Sequence, residues 1–421
     1  MRSVFLAAAS VVLVFGCGSG GASSADAGPA PSADGASPPI DDAAAPPPAI
    51  DASTPSDSPS TADAGTFPAF RPTIPTIASG GGAVLTAATI VPIFFPQTDF
   101  TTSLTDYLGK AVTSAEWTAQ TTEYGVGAPS VVTGVPSAAL PSATITQADL
   151  ETFIAQQVGA GAWGARDTGT YGTRVYLLFL PAAVTVSLPN GKSTCNGGPT
   201  GYHNEVLVGT THVPYAIAAN CGKGIDQVTR VAWHELAEAC TDPYAAPNRA
   251  FFKVDPAWAT AFTGGEVGDM CEHRGDVTIR PADVGYAVPR IWSNAAARAY
   301  HDPCVPAPTS PYAAAAPVLP DMVTLGTATV AGVKIPVGAS RTIDVQLFSD
   351  GPTSGPFEVS AVESKGGTTL SFTWDKTDGL NGDVLHLTIT ATSAAPAGTT
   401  FEISTLLGTS SSQFVGAVAN D

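Results

Sequence analysis

The central part of the chain alternates apolar runs of strand length with segments whose apolar residues recur at helical spacing. Two of the runs, residues 84–95 and 175–186, contain a proline and stay well short of the roughly 20 residues that a membrane-spanning helix requires. The predicted strands are residues 90–95, 174–180 and 205–210, and the predicted helices are residues 101–117, 147–158 and 226–241. This mixture predicts an α+β domain over residues 75–305.

The predicted helix at residues 226–241 is strongly amphipathic. At 100° per residue, Glu238 lies about 40° and Glu235 about 100° from His234 around the helix axis. Apolar side chains occupy the opposite side. One face of this helix therefore carries a histidine and two carboxylates.

Local signals mark the ends of two predicted helices. Thr146 and Asp149 have the spacing of a capping box with the shorter acid. Asp226 is the predicted N-cap of the later helix. That helix is expected to stop at Asp242, because a residue before proline is driven out of the α region and Pro243 follows.

After a Pro- and Ala-rich stretch at residues 303–320, the pattern changes to short runs with period two. The clearest runs are residues 343–347, 357–361 and 385–389, where apolar residues alternate with polar ones. Period two is typical of half-buried strands. About seven such strands predict an all-β, immunoglobulin-like sandwich over residues 318–421.

The start of the chain has the layout of a signal peptide, predicted over residues 1–16. Arg2 precedes an apolar run at residues 4–15, and a small residue stands before Cys17. This pattern predicts lipobox cleavage with Cys17 as the lipidated N-terminus, although Phe15 departs from the usual lipobox. The alternative is an ordinary secretory peptide in which this cysteine is incidental.

Composition and charge exclude some classes of partner. Residues 17–70 are almost wholly Ala, Pro, Ser, Asp and Gly, which predicts a disordered tether. The chain has 18 Lys plus Arg against 36 Asp plus Glu, so no basic stripe is available for nucleic acid or an anionic membrane surface.

We expect an exported protein that is lipid-anchored to the cell envelope, at the outer membrane or cell surface. Membrane contact is then expected through the N-terminal lipid only.

The cysteines after Cys17 are odd in number, so at least one is unpaired. In an oxidising compartment the expected disulfides join Cys195 to Cys221 and Cys271 to Cys304, although the sequence alone proves neither pairing. Cys240 falls on the apolar side of the helix at residues 226–241. It is therefore interpreted as a small buried hydrophobe and not as a reactive thiol.

Ligand-type residues on this helix suggest a metal site. His234 and Glu238 lie four residues apart, so both can reach one cation. In the H-E-x-x-H metallopeptidase motif both ligands are histidines and the glutamate after the first is the general base, the position that Glu235 holds here. Glu238 replaces the second histidine. Glu266 or Asp269 is the candidate third ligand, because a carboxylate from a later segment is common in zinc peptidases.

Simpler interpretations exist for the same residues. The polar side of the helix can be a solvated acidic face, as on any surface helix. Glu266 and Asp269 stand beside glycines and can serve turn or loop solvation. His203 and His301 are expected to be local hydrogen-bonding residues.

Several segments together resemble a known family. The motifs are residues 231–243 (V-A-W-H-E-L-A-E-A-C-T-D-P) and 266–271 (E-V-G-D-M-C), supported in order by residues 92–95, 123–127 and 201–203. They resemble the Exordium-like, phosphate-induced protein family, known from plant cell walls and from bacteria. The resemblance covers roughly residues 84–305. It implies a secreted domain with zincin-like motifs, in a family with no settled enzymatic activity.

Two functions from different classes remain as expectations. The first is a surface-anchored or secreted metal-dependent hydrolase, peptidase-like, that acts on a peptide or cell-surface polymer and uses Zn²⁺. Manganese or iron could compete, because one nitrogen with carboxylate oxygens is less selective for zinc than histidine or thiolate sets. The alternative is a non-catalytic cell-surface binding or adhesion protein with a structural or degenerate metal site.

Overall fold

Residues 65–262 and 264–420 are described in the computed structural model. The predicted signal peptide, Cys17 and the predicted tether up to residue 64 lie outside these residues. The α-helices, α1 to α7, are Thr101–Ala111, Ala115–Thr121, Gln147–Gly159, Ile225–Thr241, Pro256–Phe262, Asp269–Glu272 and Asn294–Ala299. Two short 3-10 helices are Thr122–Tyr124 and Ser364–Gly366.

Strands occur throughout the described residues. Strands β1 to β14 are Ala78–Ser79, Thr89–Phe94, Ser130–Val131, Val135–Pro136, Thr144–Thr146, Arg174–Leu180, Thr185–Ser187, Gly201–Val208, Thr211–Ala219, Phe251–Lys253, Thr278–Ile279, Val288–Pro289, Ile291–Trp292 and Cys304–Val305. Strands β15 to β24 are Ala313–Pro317, Asp321–Leu325, Ala328–Lys334, Ser340–Ser349, Phe357–Glu363, Leu370–Trp374, Asp378–Gly379, Val384–Ala391, Thr399–Leu407 and Ser410–Ala419. Residues 65–305 are called the α/β half below, and residues 313–419 the sandwich.

A sheet with one antiparallel edge forms the centre of the α/β half. Its strands follow the order β3, β2, β6, β9 and β8, and β4 also pairs with β2. All of these pairings are parallel except that of β8 with β9. The predicted strand at residues 174–180 is confirmed as β6. The predicted strand at residues 205–210 instead covers the end of β8 and its turn, where Gly209 has a φ of 65°.

The sheet separates two hydrophobic cores. Val175 and Leu177 of β6 belong to the core that also contains apolar residues of α1 and α4. Tyr176 and Leu178 belong to the core on the other face, together with apolar residues of α3. Because successive side chains of a strand point to opposite faces, β6 serves both cores. The α/β half therefore has three layers, with α4 and α3 on opposite faces of the sheet.

The predicted helix ends are correct in two of three places. Thr146 Oγ1 accepts a hydrogen bond from Asp149 N at 3.1 Å, which confirms the N-cap of α3. Helix α4 ends at Thr241, immediately before Asp242, as expected. Its N-cap is Gly224, so the prediction of Asp226 is wrong; the Asp226 carboxylate pairs with Arg280 at 2.6 Å instead.

The C-terminal part is a sandwich of two sheets, as predicted. One sheet has the order β15, β18, β22, β20, and the other has the order β16, β17, β24, β23, β19, β21. Leu347 and Leu387 of the first sheet share a buried core with Phe357 and Ile403 of the second. The first strand begins at Ala313, before the predicted boundary at residue 318. The immunoglobulin-like character of the sandwich stays a prediction.

The α/β half and the sandwich share a continuous hydrophobic core. The ring centroid of Trp258 in α5 lies 5.6 Å from that of Phe414 in β24 and 6.0 Å from that of Trp292 in β13. Polar contacts add to this junction, since Ser411 N and Ser411 Oγ both donate to the carboxylate of Asp276. The two parts therefore pack as one body.

The first described residues cross this junction. Asn381 in the sandwich accepts a hydrogen bond from Ala69 N and donates one to Thr66 O. Farther along, Ile77 exchanges two hydrogen bonds with the side chain of Asn294 in the α/β half. Residues 65–70, which the sequence assigns to the tether, thus contact the sandwich.

The disulfides agree with the predicted pairing. Cys195 bonds to Cys221 and Cys271 bonds to Cys304. Cys240 is free and fully buried, and burial raises the pKa of its thiol to about 12. The interpretation of Cys240 as a small buried hydrophobe is therefore confirmed. Within the described ranges, no helix is long and apolar enough to cross a membrane.

Candidate metal centre

Histidines and carboxylates from three segments converge where the polar face of α4 meets the sheet. The members of this cluster are His203 from β8, His234, Glu235 and Glu238 from α4, and Glu266 and Asp269 from the segment that ends in the first residue of α6. Each of these side chains is at most 9% exposed. The polar face of α4 is therefore buried and is not the solvated acidic face of the simpler interpretation.

The edge strand β8 delivers His203 to this cluster. Tyr202 belongs to the core on the α3 side of the sheet, so its neighbour His203 points to the α4 side. Gly201 points the same way, and a Cβ there would lie 2.4 Å from Val231 Cγ1 and 2.9 Å from Glu235 Oε1. A side chain at position 201 would push α4 away. This glycine therefore allows the close approach that brings His203 to α4.

His234, Glu238 and Asp269 form one triad of potential ligands. His234 Nε2 lies 3.1 Å from Glu238 Oε1 and 3.7 Å from Asp269 Oδ1. One ligand atom from each residue lies within 4.8 Å of the other two. Two ligand atoms about 2 Å from a tetrahedral ion are about 3.3 Å apart, so these separations fit a shared cation.

The loop around this triad has little spare space. A Cβ at Gly268 would lie 2.6 Å from Cε1 and Nδ1 of His234, and one at Gly264 would lie 1.5 Å from Asp269 Oδ2. Glycine at both positions lets the backbone pass directly beside the ligands. The disulfide between Cys271 and Cys304 then fixes α6, the helix in which Asp269 lies.

Glu238 is held as a carboxylate. Its Oε1 accepts hydrogen bonds from Gly268 N at 3.0 Å and from Asp269 N at 3.2 Å. Burial alone would raise its pKa, but the neighbouring His234 and His203 hold that pKa well below its usual range. The ionised form that a metal ligand requires is therefore favoured.

Glu235 and Asp269 carry buried oxygens with no hydrogen-bond partner among the described residues. Both carboxylate oxygens of Glu235 are in this state, as is Asp269 Oδ2. Burial raises the pKa of Glu235 to about 7, and burial together with Glu238 raises the pKa of Asp269 to about 6. Buried carboxylates without partners are costly, so these oxygens fit a cation or a proton carrier better than a structural role.

Glu266 contacts a different part of the cluster from Asp269. Its Oε1 lies 3.7 Å from His203 Nε2 and also contacts Arg249 Nη2. Arg249 Nη2 in turn lies 2.6 Å from Asp242 Oδ2, at the end of α4. A second triad of potential ligands consists of His203, Glu238 and Glu266. One ligand atom from each of these residues also lies within 4.8 Å of the other two.

His203 was not among the predicted ligands. The expectation that His203 serves a local hydrogen bond is wrong, because its Nδ1 is buried without a hydrogen bond and lies 3.5 Å from Glu238 Oε2. The Gly201-Tyr202-His203 segment of the family resemblance was the available signal. His301, by contrast, is exposed and pairs with Asp350 at 2.8 Å, as a local polar residue.

A small cavity adjoins the cluster at His234. A cavity of about 10 Å³, roughly the room for one water molecule, is lined by His234, Arg230, Gly268 and Glu272. A larger cavity of about 380 Å³ lies elsewhere, lined by Arg280, Arg290 and the loop at residues 306–308. The side chains of the cluster are themselves almost wholly buried.

Comparisons with known proteins give no family. No family model matches this chain, and no curated protein matches it. Solved structures that match include titin M4 (15% identity, 21% of this chain and 86% of that chain, TM-score 0.16) and a chimeric titin Z1Z2 (12% identity, 26% and 96%, TM-score 0.16). Domains 1–6 of the surface layer protein SbsC match with 17% identity over 34% of this chain and 19% of that chain, with a TM-score of 0.17. Likenesses at this level carry no functional argument.

Proposed function

We propose that the protein is an exported metal-dependent hydrolase of peptidase-like type, with a zincin-like α/β half. His234, Glu238 and Asp269 hold the metal ion, and Zn²⁺ is the proposed ion. The observation that carries this proposal is the Glu235 carboxylate, which is buried in the same cluster, makes no hydrogen bond to the described residues and has its Oε2 3.6 Å from His203 Nδ1. A general base must be able to take up a proton, and the absence of such hydrogen bonds leaves the Glu235 carboxylate able to do so.

Each residue has a distinct part in the proposed chemistry. A bound Zn²⁺ would supply Lewis acidity and lower the pKa of a water in its open position. Glu235 accepts a proton from the water as the general base and passes it to the leaving amine. Gly268 N and Asp269 N hold Glu238 in place through its Oε1. These amides act on the ligand and not on the substrate.

A second candidate function is a non-catalytic binding or adhesion protein with a structural metal site. The burial of the cluster favours it, since each of its side chains is at most 9% exposed and the cavity at His234 has room for about one water molecule. In this case the sandwich would meet a glycan or protein partner at the cell surface. Both candidates predict metal binding, and they differ in the role of Glu235.

The test compares metal content and cleavage of a broad peptide library for wild type and three variants. Glu235→Gln is expected to keep the metal and to lose at least 100-fold in hydrolysis, since a general base contributes about 10²–10⁴-fold. His234→Ala is expected to lose the metal. Glu272→Gln is the matched control, because this half-buried carboxylate lines the neighbouring cavity but lies outside both triads.

The outcomes separate the two candidates. Wild-type protein that binds Zn²⁺ but cleaves nothing in the library would leave the binding protein as the better proposal. Wild-type cleavage by Glu235→Gln would remove Glu235 from the mechanism. A wild-type chain that binds no metal would end the hydrolase proposal.

The proposed location is the cell envelope, with export and a lipid on Cys17. The two disulfides support an oxidising compartment, where such bonds persist. The proposed substrates are peptides or polymers of the cell surface. The family resemblance of residues 84–305 also implies a secreted protein, and this resemblance stays a prediction.

A further inference from the structure

A second triad of potential ligands adjoins the first and shares one residue with it. The two triads are His234, Glu238 and Asp269, and His203, Glu238 and Glu266. Within the described residues, no group unites His203 with His234, so one ion does not account for both histidines.

The two oxygens of Glu238 face different histidines. Oε1 lies 3.1 Å from His234 Nε2, whereas Oε2 lies 3.5 Å from His203 Nδ1. Carboxylates that bridge two metal ions use one oxygen for each, with the ions about 3.5–4 Å apart. Glu238 has the orientation that such a bridge requires.

Unpartnered buried atoms lie on the His203 side of this carboxylate. His203 Nδ1 makes no hydrogen bond and lies 3.6 Å from Glu235 Oε2, which makes none either. The side chains are 9% and 1% exposed, respectively. Buried polar atoms are normally satisfied, so their convergence at one point indicates a missing ligand.

Charge also favours two divalent cations. The buried carboxylates of this region are Glu235, Glu238, Asp242, Glu266 and Asp269. Arg249, paired with Asp242 and Glu266, offsets one of these charges, and histidines that bind metal are neutral. Bound cations favour the ionised form of these carboxylates, and two divalent ions would then neutralise the remainder.

We propose that the centre binds two divalent cations bridged by Glu238, the second held by His203 and Glu266. Arg249 is a positioning residue that contacts Glu266 Oε1, the oxygen that faces His203, as hydrogen-bonded neighbours fix other metal ligands. This inference rests on the proposed function, because the first ion is the one proposed there. It adds a second cation to that centre and assigns His203 a role as ligand.

The experiment measures ion stoichiometry on the full chain. Protein stripped with a chelator is titrated with Zn²⁺ alone and analysed by native mass spectrometry, and with Mn²⁺ alone and analysed by electron paramagnetic resonance. We expect two ions per chain and, with Mn²⁺, the exchange-coupled spectrum of a bridged pair. His203→Ala and Glu266→Gln should each bind one ion and lose the coupling.

A matched control is His212→Ala, since His212 pairs with Glu205 at 2.8 Å outside the cluster and should leave two ions bound. Glu266→Gln keeps the shape of the side chain, so it tests the proposal even if His203→Ala does not fold. One ion in wild type, unchanged by either variant, would overturn the second position but leave the proposed function intact. Two ions in both variants would place the second ion elsewhere and also overturn it. Binding of no ion would refute both proposals.

Discussion

At the scale of single residues, Gly268 controls the position of His234. A Cβ at this position would lie 2.6 Å from the imidazole ring, which side chains in proteins do not tolerate. We expect Gly268→Ala to turn the ring away from Glu238 and Asp269 and to weaken Zn²⁺ binding by about 10- to 100-fold, as displaced ligand supports do. Isothermal titration with Zn²⁺ measures this effect.

Gly275→Ala is the control for Gly268→Ala. Its Cβ would meet only Ser411 Oγ, at an ordinary 3.8 Å. Zn²⁺ affinity equal to wild type is expected for this variant. If Gly268→Ala bound Zn²⁺ as tightly as Gly275→Ala, His234 could not be a ligand in the described position.

The spacing of His234, Glu235 and Glu238 was readable from the sequence because it lies within one helix. Their burial was not readable, because an acidic face looks the same whether it meets water or another segment. His203 was missed for a related reason. Period two shows that His203 and Tyr202 face opposite sides of a strand, but only the strand order places His203 beside α4.

At the scale of elements, the two disulfides have similar loop lengths and different neighbours. They close sequence separations of 26 and 33 residues. Loop-closure entropy predicts that loss of either bond lowers the free energy of unfolding by about 3–4 kcal/mol. Only Cys271 belongs to α6, two positions from Asp269. The double variant Cys271→Ser/Cys304→Ser should therefore also weaken Zn²⁺ binding, by about 10-fold.

Cys195→Ser/Cys221→Ser serves as the matched variant, with a similar loss of stability and unchanged Zn²⁺ affinity. Urea unfolding and Zn²⁺ titration of both double variants are the measurements. Equal Zn²⁺ affinities in the two double variants would show that α6 needs no covalent support to place Asp269.

The ends of the helices show where local signals suffice. Thr146 caps α3 as its spacing with Asp149 predicts, because both partners lie within one turn. Asp226 has the same chemical preference for an N-cap but pairs with Arg280, which is distant in sequence. A tertiary ion pair thus competes with the local cap, and the sequence does not reveal which one forms.

At the scale of the whole molecule, Asp276 couples the α/β half to the sandwich. Its carboxylate lies 2.8 Å from Arg290 Nη1 and accepts hydrogen bonds from Ser411. Burial alone would raise the pKa of Asp276, but Arg274 and Arg290 hold that pKa below its usual value. The unfolded chain then binds more protons in acid, so the stabilisation is present above about pH 4 and is lost below it.

We expect Asp276→Asn to lower the free energy of unfolding by about 2–3 kcal/mol at pH 6. The difference from wild type should shrink as the pH falls from 4 to 2, because protonated Asp276 resembles asparagine. Chemical denaturation across this pH range measures it. Asp378→Asn, an exposed carboxylate in β21, should change stability by less than about 0.5 kcal/mol throughout. A difference for Asp276→Asn that stays constant to pH 2 would contradict the assigned charge.

The sequence predicts two different parts, one with both helices and strands and one that is a sandwich, because the hydrophobic period changes from helical spacing to period two after residue 303. It did not reveal their junction. Trp258 has the pattern of an ordinary core residue of a short helix, and nothing in the sequence shows that its ring packs against Phe414 of β24. The Pro- and Ala-rich stretch likewise resembles a linker between independent domains, whereas the two parts share a core.

The hydrogen bonds of Asn381 and Asn294 to the first described residues give the molecule a second link between its parts. The peptide chain passes from the α/β half to the sandwich at residues 306–312, but residues 66–77 also bridge the two, from Asn381 to Asn294. A protease that nicks the connecting loop therefore does not release the sandwich. We expect the two fragments to stay together through these hydrogen bonds and the shared core.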